Sequence, residues 1–265
     1  MAVFIDDLAL VEVLLLLGAA VLAYGGVMAW WAIRSNDPKG LRGALKGMAI
    51  PLGMVGFSTT TLALWGEMVW PFPSFMAGYN IFFFDAMLLF GLLCLAYAVA
   101  CYFGTKLQYV GLFAMVAGGA TAFYGWTGYT ASTPFTKDPF DTLLLYAGFS
   151  LAGILSFPAT IIVDYYLDHV DSVKAPFRTV ELPAGARRAR AMGARGSQPV
   201  VPGGAPSASP SKDVTETELG YHVPIWVQSL LLLFPIFMAL AGIAALWYFG
   251  VTLPGHLGGG AAAAP

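Results

Sequence analysis

Six long apolar runs decide what this chain can become: residues 8–33, 48–70, 81–103, 110–126, 143–165 and 223–249. Five comfortably supply the ~20 residues a helix needs to cross ~30 Å of hydrocarbon, and the fourth only just does. Strands of a membrane barrel would be ~10 residues long and alternate in polarity, which none of these runs does. Only 11% of the 265 residues are charged, against ~25% in a soluble domain. The fold class read from this pattern is all-α, a polytopic transmembrane bundle of six helices. Its first partner is the lipid bilayer, and nothing in the sequence suits nucleic acid.

The segments between the runs give the expected organisation. A five-helix membrane domain spans 1–170, followed by an Arg/Pro/Gly/Ala-rich loop over 171–221 with too little apolar content to order itself. A sixth transmembrane helix spans 222–250, and a low-complexity tail spans 251–265. Thr215 and Glu218 have the spacing of a capping box ahead of the sixth helix. The start, M-A-V-F-I-D-D, is acidic and leads into an apolar run far longer than the 7–15 residues of a signal-peptide core. The first helix is therefore expected to stay in the mature protein.

Orientation follows from charge. Six spans put 34–47, 104–109 and 166–222 on one side, and these segments carry 12 of the 13 Lys and Arg residues. Lys137 alone falls on the other side. The positive-inside rule makes the first side cytoplasmic. The expectation is a multi-pass protein of the cell (plasma) membrane, with both termini outside and residues 166–222 inside. Trp30, Trp31 and Trp226 at inner ends, and Trp65, Trp70, Trp126 and Trp247 at outer ends, fit interfacial belts.

The candidate site lies at the outer end. An ionisable group at mid-helix in a bilayer costs roughly 2.5–3.5 kcal/mol, less near the interface, and is a functional candidate by default. Glu12, Glu67, Asp85 and Asp141 fall in the outer quarter of four different helices. With Thr60, Tyr79, Asn80, Tyr124 and Tyr129 they could form one polar cup. Oxygen-only ligands suit a hard cation such as Ca²⁺, Mg²⁺ or Mn²⁺, with Glu67 and Asp85 as the first ligands to consider. Two carboxyls close together would instead share a proton. Structural roles compete: Asp85 and Asp141 lie near helix N-termini, where a carboxylate meets the macrodipole, and Asn80 reads as an N-cap.

Glu67 has separate support. Ala49, Gly53, Gly56, Thr60, Ala63 and Glu67 recur at spacings of four and three, a small-residue face on which another helix can pack closely. Glu67 therefore points into the bundle. A short internal similarity aligns L-W-G-E-M-V-W with F-Y-G-W-T-G-Y, and D-A-M-L-L-F-G with D-T-L-L-L-Y-A-G. It suggests a duplicated out-facing hairpin, helices 2–3 and 4–5, with Asp85 equivalent to Asp141.

Several chemistries are excluded. His169, His222 and His256 lie outside the spans, so no b-type haem is ligated within the bundle, and no mid-span lysine exists to hold retinal. Cys94 and Cys101 lie roughly 10 Å apart along one helix, too far for a disulfide. No nucleotide-binding fingerprint occurs. The cofactor is left unknown and enzymatic activity undecided.

The run W-G-E-M-V-W-P-F-P-S-F-M-A-G-Y-N-I-F-F-F-D, residues 65–85, resembles the most recognisable stretch of a bacterial and archaeal membrane-protein family, domain of unknown function 981. The similarity extends over roughly residues 8–168. The family's turn reads W-x-L-P-G-P-Y-N-I, whereas here it is P-F-P-S-F-M-A-G-Y-N-I, longer and less dense in glycine and proline, with Tyr79, Asn80 and Asp85 in matching places. The resemblance implies a multi-helix membrane domain and transfers no catalytic residue. Three functions stay open. The leading one is a membrane subunit or small-ligand or cation-binding component of a larger complex, either with other subunits or as a homo-oligomer. The others are a cation- or proton-coupled transporter and a membrane enzyme acting on lipid or quinone.

Overall fold

The computed structural model describes residues 7–69, 81–131, 139–174 and 223–259. Its described residues are helical apart from short connections: α1 (Asp7–Arg34), α2 (Pro38–Val69), α3 (Ala86–Phe103), α4 (Gln108–Thr130), α5 (Pro139–Lys174) and α6 (Ile225–Gly259). A π-helical turn, Ile81–Asp85, leads into α3. All six helices are long and apolar enough to cross a membrane. The protein is a multi-pass membrane protein. Contacts divide it into two compact units, Met1–Leu167 with His222–Pro265, and Asp168–Tyr221. The first unit holds the bundle; of the second, only the end of α5 is described.

Helix boundaries differ from the sequence reading in several places, the fifth helix for one running Pro139–Lys174 rather than 143–165. The connection expected over 34–47 is reduced to residues 35–37, because α2 begins at Pro38. Asp37 caps it, its Oδ1 accepting from the Gly40 N–H at 2.9 Å. Proline at the first helical position has no N–H to leave unsatisfied, so Asp-Pro is a start signal ten residues ahead of the apolar run. The fourth helix reaches 23 residues rather than a bare span. The sixth runs on to Gly259, into the segment expected to be tail. The loop beyond Lys174, the Thr215–Glu218 pair and residues 260–265 lie outside the described residues.

Small residues set the packing. On the α2–α3 crossing, an added methyl at Gly56 would lie 2.7 Å from the Leu95 nitrogen, and one at Gly91 would lie 2.7 Å from the Thr60 nitrogen. The two backbones touch there, and Ala49 and Ala63 are buried on the same face. Without a hydrophobic drive between helices in lipid, such close approach is what supplies dispersion energy. The α4–α5 pair uses the same device, with Gly118 against the Ser150 carbonyl (2.7 Å) and Gly153 against the Ala114 carbonyl (2.9 Å) for a methyl placed at each. One step round α2, Ile50, Met54 and Phe57 are each about two-thirds exposed, at 68, 68 and 67%. Large apolar side chains in that state are the lipid-facing surface.

Successive helices alternate in direction, so Glu67, Asp85 and Tyr124 fall at one end. Asn36, Gln108 and Asp164 fall at the other. There the Asp164 Oδ2 accepts from the Gln108 N–H at 2.8 Å, capping α4 with a carboxylate borrowed from α5. The Tyr166 hydroxyl donates to Asn36 Oδ1 at 2.9 Å, tying α5 to the α1–α2 turn. Asp164 is thus explained by capping a helix N-terminus, where negative charge is favourable.

Candidate functional site

At the Glu67 end, the π-helical turn drives three consecutive aromatic rings into the bundle: Phe82, Phe83 and Phe84 are all buried. Glycines make room for two of them. A methyl at Gly66 of α2 would collide with the Phe84 ring, and one at Gly128 of α4 would lie 2.5 Å from the Phe82 ring. Phe84 also joins a buried cluster with Val11, Ala63 and Met87. Phe82 meets Tyr146 of α5 with ring centroids 4.7 Å apart. The Tyr146 hydroxyl donates to the Phe82 carbonyl oxygen at 2.5 Å, giving that main-chain group a buried partner from another helix. Wide π turns loosen the regular ladder and recur at functional sites.

This wedge determines where Asp85 goes. Asp85 closes the π turn, and its Oδ2 accepts from the Tyr124 hydroxyl of α4 at 2.7 Å. From α2, Glu67 brings its carboxyl into hydrogen-bonding range of Asp85. The other side of that carboxyl is open in a specific sense: Glu67 Oε1 is buried and has no hydrogen-bond partner. Tyr124 and Tyr146 extend the group, both packing in one cluster with Phe82 and Phe83. Three helices therefore present two carboxyls and a phenol to one another at the end of a lipid-embedded bundle.

Asp141, on the first turn of α5, accepts from the Trp247 indole N–H of α6 at 3.4 Å. Its location at a helix N-terminus gives it a favourable macrodipole contact. Glu12 is 2% exposed within α1 and has an interaction partner. Thr60 lies on the α2 face pressed against Gly91, deeper than Glu67, and its hydroxyl is buried without a partner. Tyr129 is 43% exposed and stacks on Trp126. Tyr79 and Asn80 lie outside the described residues. Among the described residues, no three His, Cys, Asp or Glu side chains come close enough to hold a metal. Of the four expected carboxylates, Glu67 is paired with Asp85, and Asp141 is engaged with Trp247 instead.

Residues 1–172 match the family described as protein of unknown function, DUF981. The chain belongs to this family. The match runs from α1 into the last turn of α5 and includes the whole Glu67–Asp85–Tyr124 group, whereas α6 lies beyond it. No curated protein and no solved structure matches the chain.

Sequence reasoning missed Tyr146. It lies in a continuous apolar run, where a tyrosine reads as one more aromatic filler. The one signal for Tyr146 is its position five residues after Asp141, one helical turn and a half into the same end of α5.

Proposed function

We propose that this family member is a membrane subunit that binds a small, singly charged cation at the outer end of its bundle, between Glu67 and Asp85. One observation carries the reading: Glu67 Oε1 is buried, has no partner, and belongs to a carboxyl that already faces a second carboxyl. An unsatisfied buried carboxyl oxygen is costly, and a cation or a proton is the natural complement. Ca²⁺ takes six to eight oxygen ligands. Two carboxyls and the Tyr124 hydroxyl fall short of that number but match the three donors of a primary ammonium group, whereas Na⁺ would complete its shell with water.

Position supports binding at a rim rather than passage through the middle. A route inward from Glu67 past Thr60 would have to part α2 from α3 where Gly91 touches the Thr60 backbone. The charge asymmetry of the connections supports an outward position for this end. The test is calorimetric titration of the purified protein with NaCl and with methylammonium chloride. Glu67→Gln and Asp85→Asn should each abolish saturable binding of whichever cation binds, while Asp141→Asn should leave it intact. Absence of saturable binding of either cation to the folded wild type would leave the pair holding only a proton and refute the reading.

A further inference from the structure

The first turns of α2 carry a feature that helix packing leaves unexplained. Residues 38–47 precede the apolar run, an extension of about 15 Å at a rise of about 1.5 Å per residue. Leu41 is 0% exposed and seats this segment on the protein, whereas Lys39, Arg42 and Lys46 are all exposed. Spacings of three and four residues place the three cations on one face of the helix. Asp37 lies about 200° round the helix axis from Lys39, and its Oδ1 is taken by the Gly40 N–H at 2.9 Å.

Two glycines sit among these cations. Gly43 follows Lys39 by four residues, Gly47 follows Gly43 by four, and both are exposed. A methyl at either would meet nothing within 4 Å, whereas one at Gly56 would lie 2.7 Å from the Leu95 nitrogen. A neighbouring helix accounts for Gly56. No neighbour among the described residues accounts for Gly43 or Gly47, although glycine is the poorest helix former after proline. Their bare backbone leaves a notch flanked by positive charge. Ile50, Met54 and Phe57, the lipid-facing residues of α2, continue the same stripe at spacings of four, four and three from Lys46. The face is thus basic in the first turns and apolar beyond them.

We propose that this face binds one anionic phospholipid, its phosphate held by Lys39, Arg42 and Lys46 over the Gly43–Gly47 notch and an acyl chain lying along Ile50, Met54 and Phe57. Charge complementarity names the headgroup, and the apolar half of the stripe names a lipid rather than a soluble anion. Depth agrees. Lys46 and Arg42 stand about 3 and 9 Å above the start of the apolar run by helical rise. The polar layer of a bilayer is about 5–8 Å thick on each side, and long basic side chains bend toward it. Each basic group near an anionic surface contributes about fivefold in binding. The site lies at the opposite end of α2 from Glu67, so it can be filled or lost without the cation site.

Native mass spectrometry of the full chain in detergent tests this, with titration by phosphatidylglycerol and, separately, by phosphatidylcholine of the same acyl chains. One phosphatidylglycerol should bind saturably and at least about 10-fold more tightly than phosphatidylcholine. Glycerol 3-phosphate, an anionic headgroup without chains, should not displace it. The triple variant Lys39→Gln, Arg42→Gln, Lys46→Gln should bind about 100-fold more weakly. Gly43→Leu keeps every charge and fills the notch. It should weaken phosphatidylglycerol binding by about fivefold or more, the loss from displacing the phosphate from one cation. It should also unfold no lower than wild type, because the space is open and leucine is favoured over glycine in a helix. Diffuse attraction to a basic surface would respond to the charges and ignore Gly43. Equal affinity for the two lipids, displacement by glycerol 3-phosphate, unchanged affinity in Gly43→Leu, or a fall in its unfolding temperature would overturn the proposal.

Discussion

Gly66→Ala should disrupt the candidate site from outside it. A methyl at position 66 would collide with two carbons of the Phe84 ring and stand 2.6 Å from a third. Carbon atoms in good contact are about 3.5–4.0 Å apart, so one group must retreat by about 1 Å. Phe84 cannot do so freely: it is 3% exposed and packed on Val11, Ala63 and Met87. Overpacking of this kind costs about 1–3 kcal/mol, or roughly 2–12 °C in unfolding temperature for a protein of this size. Asp85 follows Phe84 directly, so the retreat also moves its carboxyl relative to Tyr124 and Glu67, and cation binding should weaken. Gly119→Ala is the control. Nothing lies within 4 Å of a methyl there, and alanine is favoured over glycine in a helix by up to about 1 kcal/mol. Thermal scans of the two variants in one detergent should therefore shift in opposite directions. If Gly66→Ala unfolds at the temperature of Gly119→Ala, the reasoning from close approach to site geometry fails.

The Asp85–Tyr124 bond should give a coupling of about 1–3 kcal/mol in a double-mutant cycle of Asp85→Asn and Tyr124→Phe, measured by unfolding; additive effects would deny the bond. Asp164→Ala removes the cap on α4 and should destabilise by about 0.5–2 kcal/mol while leaving cation affinity unchanged; a loss of affinity would mean the two ends are coupled. For orientation, Lys137→Cys in intact cells should react with a membrane-impermeant maleimide, and Lys39→Cys should react only after permeabilisation. Cys94 and Cys101 are both buried and should contribute no background. The reverse labelling pattern would overturn the charge-based topology.

Much of the architecture was legible because it is local. Membrane crossing depends on the length and polarity of one segment at a time, and backbone hydrogen bonds leave an isolated apolar segment no choice but helix. The stripe from Ala49 to Glu67 likewise follows from helical period alone, so its role as a packing face could be read before any partner was known. The start of α2 was equally present, in Asp37-Pro38, but was overshadowed by an apolar run that begins ten residues later. Hydropathy marks where a helix is buried in lipid and does not mark where it starts.

What surrounds the carboxyls was decided elsewhere. The sequence singled out Glu67 and Asp85 as the leading ionisable groups in apolar surroundings, and set Asp141 and Glu12 behind them as members of the same outer cup. The structure separates them, because a side chain's partner depends on which helices pack together and at what rotation. Asp85 meets Tyr124, 39 residues away; Asp141 meets Trp247, 106 residues away. No periodicity reports contacts at that separation. The Phe82–Phe84 wedge and the Gly66 and Gly128 notches that receive it arise only once the helices pack. The sequence by itself determined six apolar helices and the face on which Glu67 sits; tertiary packing alone chose the partners of Asp85 and Asp141.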